Sequence, residues 1–197
     1  MKKLIACIAL ALAGSANATI LTSTAAPALA GAKVETFNGV ASGTYATLQL
    51  ADLKIKGNGG VMAVDSTWTA QFAKSGQSLH NNNATPSSFD LVFNDTVTAF
   101  GIFAGAVNNS WTYSAYGANN QLLESITTSA ICCGPIFTGI SNSIGIKRVT
   151  LAGGGDWAIF DDLYYTVKKA DVPEPGSVAL FGLAALGLAA TRKRKAS

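Results

Sequence analysis

Asp161 and Asp162, adjacent acids inside an otherwise apolar run, are the residues whose setting most calls for chemistry. Side chains alternate along a strand. Asp161 is therefore expected on one face with Trp157, Ile159, Leu163 and Tyr165, and Asp162 on the other with Phe160 and Tyr164. A carboxylate among such neighbours needs a donor or a cation. If the first and last strands of the body lie side by side, Glu35 joins them, and an all-oxygen set of Glu35, Asp161 and Asp162 suits a structural Ca2+. Backbone amides, threonine hydroxyls or Lys33 would satisfy the same acids without a metal.

Flat rings are the second resource. Trp68, Trp111 and Tyr116 form a candidate platform on which sugar faces could stack, with Tyr113 and Trp157 as further aromatics. Buried core is the competing assignment for each. Catalysis has less to work with. His80 is the only histidine and stands beside Asn81-Asn-Asn83, so no Ser–His–acid or Cys–His relay is legible. No acid pair stands in the setting of a glycosidase. The chain is expected not to be an enzyme, with an extracellular hydrolase as the remaining catalytic alternative. Cys132 and Cys133 are consecutive. Neighbouring Cα atoms lie about 3.8 Å apart, below the usual disulfide span of ~4.4–6.8 Å. The pair is either a strained vicinal bridge stiffening a Cys-Cys-Gly-Pro turn or two unpaired or externally paired thiols.

The elements that must position these groups read as β. Val, Ile, Thr, Phe, Tyr and Trp recur in short runs between Gly, Asn, Ser and Pro clusters. Strands are expected at Val34–Phe37, Tyr45–Leu50, Leu53–Lys56, Val61–Val64, Ser88–Phe93 and Thr96–Phe103. Others are expected at Trp111–Tyr116, Leu122–Thr127, Phe137–Ile140, Lys147–Leu151 and Trp157–Val167. Ser75–Ser88 reads as a polar loop, and Gly153-Gly-Gly155 as a hairpin turn. The expected fold class is all-β, a β-sandwich or jelly-roll body over residues 31–170. A signal peptide and a C-terminal hydrophobic helix flank it.

Both extremities carry address signals. Met1-Lys-Lys3, the apolar run Leu4–Ala13 and Ala16-Asn-Ala18 make a secretory signal peptide over residues 1–18. Signal peptidase would cut after Ala18, or later, after Ala30. Residues 19–30 then read as a small-residue linker. At the other end, Val172, Pro173, Glu174 and Pro175 precede an uncharged Leu/Ala-rich stretch and Arg192, Lys193, Arg194 and Lys195. The prolines bar a helix, and the stretch 177–190 is shorter than the ~20 residues a bilayer core asks for. The basic tail stays cytoplasmic. This order over 171–197 resembles the PEP-CTERM sorting signal, which implies an exosortase as processing partner and the inner membrane as a waystation. Phe89–Gly101, Trp111–Gly117, Phe137–Ile140 and Ala158–Tyr164 look like the β-sandwich body of many such proteins, similar in outline to carbohydrate-binding jelly rolls.

Composition narrows the partners. Six of the fourteen Lys/Arg lie in the two terminal signals, and residues 19–170 hold eight against nine Asp/Glu, a net of −1. No nucleic-acid partner is implied. The resemblance implies an exported surface or extracellular-matrix component associated with exopolysaccharide or biofilm. The alternative is a lectin-like module that binds glycan, with or without structural calcium.

Overall fold

The computed structural model describes residues 18–81, 85–130, 132–153 and 155–168. Twelve strands run in order: β1 (Thr19–Leu21), β2 (Lys33–Glu35), β3 (Gly43–Tyr45), β4 (Thr47–Gln49), β5 (Leu53–Asn58), β6 (Met62–Asp65), β7 (Ser78–Asn81), β8 (Ser88–Gly105), β9 (Trp111–Tyr116), β10 (Leu122–Thr128), β11 (Ile136–Gly153) and β12 (Ile159–Val167). A single-turn helix, α1 (Thr69–Phe72), lies between β6 and β7.

The architecture follows from one long ribbon. β8 and β11 are each 18 residues and pair antiparallel along their lengths, from Ser88–Ala152 to Ala104–Ile136. The apolar alternation fails midway, at the exposed Asn94-Asp95 and at Ser143-Ile144. There the register shifts, and Gly145 takes φ +109°, a conformation closed to ordinary L residues. The ribbon folds in half at this bend. Its first half continues into a sheet ordered β4-β5-β8-β11-β9-β10, and its second into β1-β11-β8-β12-β7-β6-β3, with β2 beside β12. The two layers make a β-sandwich.

Aromatic contacts between the layers fix the fold-over. Phe89 lies 5.4 Å from Phe160 and 6.1 Å from Trp111, and Trp111 lies 5.4 Å from Phe160. These three rings fill the end where the ribbon's two tips meet. Phe93 and Tyr165, 5.5 Å apart, fill the end at the bend. Leu53, Ile55, Leu91, Ile102, Val149, Leu151 and Leu163 complete a core fully removed from water, each side chain stabilising by about 1.5–3 kcal/mol.

Five sequence expectations change. Tyr45–Leu50 is not one strand: β3 ends at Tyr45 and pairs β6, while β4 begins at Thr47 and pairs β5. The pairs Ser88–Phe93 with Thr96–Phe103, and Phe137–Ile140 with Lys147–Leu151, are single bent strands, because the ladder carries on through the polar break. Ser78–Asn81 is not loop but a strand buried on both faces, pairing β6 on one side and β12 on the other. Gly153–Gly155 makes no hairpin, since β8 lies between β11 and β12. Residues 19–30 are no linker: β1 pairs β11, and Leu21 and Leu29 bury against Ala99 and Phe137. That N-terminal segment covers one half of the second sheet's outer face. α1, with Trp68, Phe72 and Ala73 against Ala106 and Ile159, covers the other.

Candidate functional site

The paired acids sit on a β-bulge. Between Asp161, opposite Phe103, and Tyr164, opposite Gly101, β12 spends three steps against β8's two. The extra residue is Asp162, at φ +45°. The bulge resets the alternation: Phe160, Leu163 and Tyr165 point into the core while Asp161 and Tyr164 point to the outer face. The expectation that Asp161 shares a face with Leu163 and Tyr165 fails for this reason.

Asp161 is 1% exposed, and its carboxylate is filled by backbone amides. Lys74 N–H and Ser75 N–H donate to Oδ2 at 2.8 and 3.0 Å, and Asp162 N–H donates to Oδ1 at 2.8 Å. Burial nonetheless holds the Asp161 carboxyl above the ordinary range. Asp162 is raised as well, first by burial and then by the Asp161 charge. Lys74 Nζ lies 4.8 Å over the Phe103 ring, beside both acids. The acid thus latches the loop after α1 onto β12. β2 does pair β12, but it places Glu35 opposite Leu163, and Glu35 Oε1 accepts from Phe37 N–H at 2.7 Å. Among the described residues no three His, Cys, Asp or Glu side chains gather as a metal would need. The expected calcium set Glu35, Asp161 and Asp162 is not brought together.

The ring platform divides in the same way. Trp111 is fully buried, a core residue rather than a contact surface. Trp68 meets Trp157 edge-on at 4.7 Å and Phe72 at 6.2 Å, so its edges serve the packing of α1. Tyr116 stays half-exposed, with one face covered by the Arg148 guanidinium at 3.8 Å.

His80 stands on β7, not in a loop, and is 6% exposed. Its Nε2 is 3.2 Å from Asp65 Oδ2 but off the line of a hydrogen bond. Burial raises the Asp65 carboxyl, but Thr67 N–H, its hydroxyl and His80 together outweigh this, so its net position is low. Ser78, two residues earlier on the same strand, buries an unpartnered Oγ. Ser78 and His80 are buried in the wall, and only Asp65 keeps part of its side chain at the surface. Cys132 and Cys133 are bonded to each other, Cα atoms 3.7 Å apart, in the β10–β11 connection.

Sequence reasoning missed one open feature. Among the described residues nothing packs on the first sheet's outer face, while the second sheet is covered. Across that face Thr112 and Thr127 hydroxyls meet at 2.9 Å, as do those of Ser114 and Ser125. Arg148 is central. Its Nη1 donates to Asp90 Oδ1 at 3.1 Å and to Thr150 Oγ1, and its Nη2 donates to Asn120 Oδ1 at 2.7 Å. Thr150 Oγ1 donates in turn to Asp90 Oδ1 at 2.7 Å. Hydroxyls and a planar cation stacked on a phenol give a polar surface suited to hydroxyl-rich ligands. The signal was legible: outward positions of β9, β10 and β11 alternate Thr, Ser and Arg with apolar residues.

The sorting residues Val172, Pro173, Glu174, Pro175, Arg192, Lys193, Arg194 and Lys195 lie outside the described residues, as does Ala16; Ala18 is described and directly precedes β1. Among the described residues no helix is long and apolar enough to cross a membrane. Residues 171–195 match the PEP-CTERM protein-sorting motif. No curated protein matches the chain. Among solved structures, it is similar to a family 6 carbohydrate-binding module at 14% identity and TM-score 0.33, covering 69% of this chain and 94% of that one. It is also similar to CBM29_1, a family 29 carbohydrate-binding module from Piromyces equi (7% identity, TM-score 0.32, 84% and 99% covered). A third is CsCBM6-3 from Clostridium stercorarium in complex with cellobiose, at 16% identity and TM-score 0.29, covering 69% and 94%.

Proposed function

We propose that the chain is a non-catalytic β-sandwich delivered to the cell surface or extracellular matrix by exosortase processing of its C-terminal motif. The match over residues 171–195 carries this reading. The body supports it, since β12 ends at Val167 and leaves only a few residues before the motif. An exosortase would act near Pro173–Pro175 while the apolar stretch holds the chain in the inner membrane. Mass spectrometry of the mature C-terminus tests this, with and without Pro173-Glu-Pro175 replaced by alanines. Loss of the Arg-Lys tail only in the unaltered chain is expected. An intact tail from a host that encodes the enzyme would refute it.

A second reading follows from the uncovered sheet: the body holds exopolysaccharide on the face around Arg148, Tyr116 and Asp90. Its support is that this face is hydroxyl-rich and bare while its counterpart is sheathed. Affinity electrophoresis through neutral and acidic polysaccharides would show retardation that Arg148→Ala diminishes. Retardation unchanged by Arg148→Ala would remove this face from the reading.

A further inference from the structure

The bend in the β8–β11 ribbon gathers features that the sandwich itself does not need. Both ends of the body emerge there. Thr19 pairs with Ser141 just before the bend, and Lys168 N–H donates to Thr96 O at 2.8 Å just after it. At the tip stands Ile144, 52% exposed, held by its own N–H donating to Asn142 Oδ1 at 2.9 Å. Two ammonium groups flank it. Lys168 Nζ donates to Ile144 O at 3.3 Å, and Lys147 Nζ donates to Asn94 O at 2.6 Å. An ammonium has three N–H donors, so each lysine keeps capacity for a further acceptor. Two carboxylates lie at the same end. Asp52 is neutralised by Lys33 at 2.6 Å and by the Tyr165 hydroxyl at 2.9 Å, leaving Asp95 against Lys147 and Lys168.

Chain length then limits where this end can go. Lys168 is five residue steps from Pro173 and nine from Ser177, spans of at most about 18 and 32 Å. While the apolar stretch sits in a bilayer, the bend cannot stray far from the headgroups.

We propose that the bend is a membrane-docking surface for anionic phospholipid, with Ile144 entering the headgroup boundary and Lys147 and Lys168 on lipid phosphates. It rests on the membrane-anchored reading of residues 171–195 and adds an orientation: the bend faces the bilayer and the Phe89–Trp111–Phe160 end faces away. An apolar tip ringed by lysines binds such surfaces because the side chain leaves water while the ammonium groups meet lipid phosphate.

The native tryptophans provide the test. Trp111 lies at the far end with Phe160, and Trp68 and Trp157 pack together just before β12 begins. The eight residues from Phe160 to Val167 put them about 25 Å from the bend. The full chain is reconstituted into phosphatidylglycerol-containing vesicles with brominated acyl chains, and incorporation is checked by flotation. Native emission should stay unquenched, and the added emission of Ile144→Trp should be quenched. Ile144→Trp combined with Lys147→Glu and Lys168→Glu should float yet lose that quenching. Hydrogen exchange on the unaltered chain should show residues 143–147 protected in these vesicles but not in pure phosphatidylcholine. A floating chain whose Ile144→Trp emission is unquenched, or whose native tryptophans are quenched, overturns the docking orientation. Equal quenching in phosphatidylcholine overturns the role of charge. A chain that never floats overturns the anchored reading, and this inference with it.

Discussion

Asn81 is the most consequential polar residue inside the body, and its replacement by alanine is the sharpest test of the packing described above. It is 1% exposed and joins three segments. Its Nδ2 donates to Asp156 O at 2.6 Å and to Pro86 O at 3.3 Å, and its Oδ1 accepts from Ala158 N–H at 2.8 Å. Asn81→Ala leaves one buried N–H and two carbonyls without these partners. A stranded buried group costs about 1–3 kcal/mol. The N–H, beside a fully buried Ala158, bears most of that cost, and the carbonyls can recruit water. A total of about 3 kcal/mol follows, and at about 2–4 °C per kcal/mol for a domain this size Tm falls by roughly 9 °C. Urea unfolding should show a lower midpoint with an unchanged slope. Ser125→Ala is the control: it removes an exposed hydroxyl that meets Ser114 across the open face, and surface changes of that kind stay within about 0.5 kcal/mol. If the two variants unfold at the same urea concentration, the role given to Asn81 in joining the three segments is wrong.

Further outcomes follow from the same geometry. Asp161 and Asp162 have folded-state carboxyls raised above their unfolded values, so their neutral forms stabilise the fold below about pH 4 and this is lost as pH rises through the folded values. Asp162→Asn, at a positive φ that asparagine tolerates, should therefore gain stability over the parent increasingly from pH 4 to 7, and a gain that shrinks across that range would contradict it. Asp52 is opposite in sign: the Lys33 contact first, then the Tyr165 hydroxyl, holds its carboxyl low. Its contribution is present above about pH 4 and is lost on acidification, and Asp52→Asn should remove that acid-side loss in a thermal melt series while costing at most about 1 kcal/mol at neutral pH. A Cβ on Gly105 would meet the Phe72 backbone carbonyl, so Gly105→Ala should lift α1, cost about 1–3 kcal/mol, and red-shift emission from the Trp68–Trp157 pair.

How far the amino-acid order reached depends on the element. The alternation of β9 and the apolar run of β12 were legible because each strand presents one face to a core that rewards it. β7 was not. Ser78, His80 and Asn81 look like loop residues, and only burial between β6 and β12 makes them strand, a tertiary effect that local pattern does not carry. The bulge at Asp162 was equally invisible. One inserted residue breaks the alternation after Asp161 and turns Leu163 and Tyr165 to the opposite face from it, while Glu35, opposite Leu163 on the adjacent strand, accepts from Phe37 N–H instead of joining the two acids. Backbone amides satisfying Asp161 were foreseen as a class, but their source, Lys74 and Ser75, lies 86 residues or more away. Trp111 went to the core because Gly153 clears space where its ring packs. The pairing of the N-terminal segment with β11 escaped because Ala-rich spacing resembles a linker until its two leucines find a surface.

On the export route proposed above, that last pairing governs when the body can close. Thr19 and its partner Ser141 are separated by 122 residues. The first stretch to emerge from a translocation pore therefore waits for nearly the whole body before its partner strand arrives. Closure through such distant partners is slow, so on that proposed route the chain would stay threadable in transit and close on the far side.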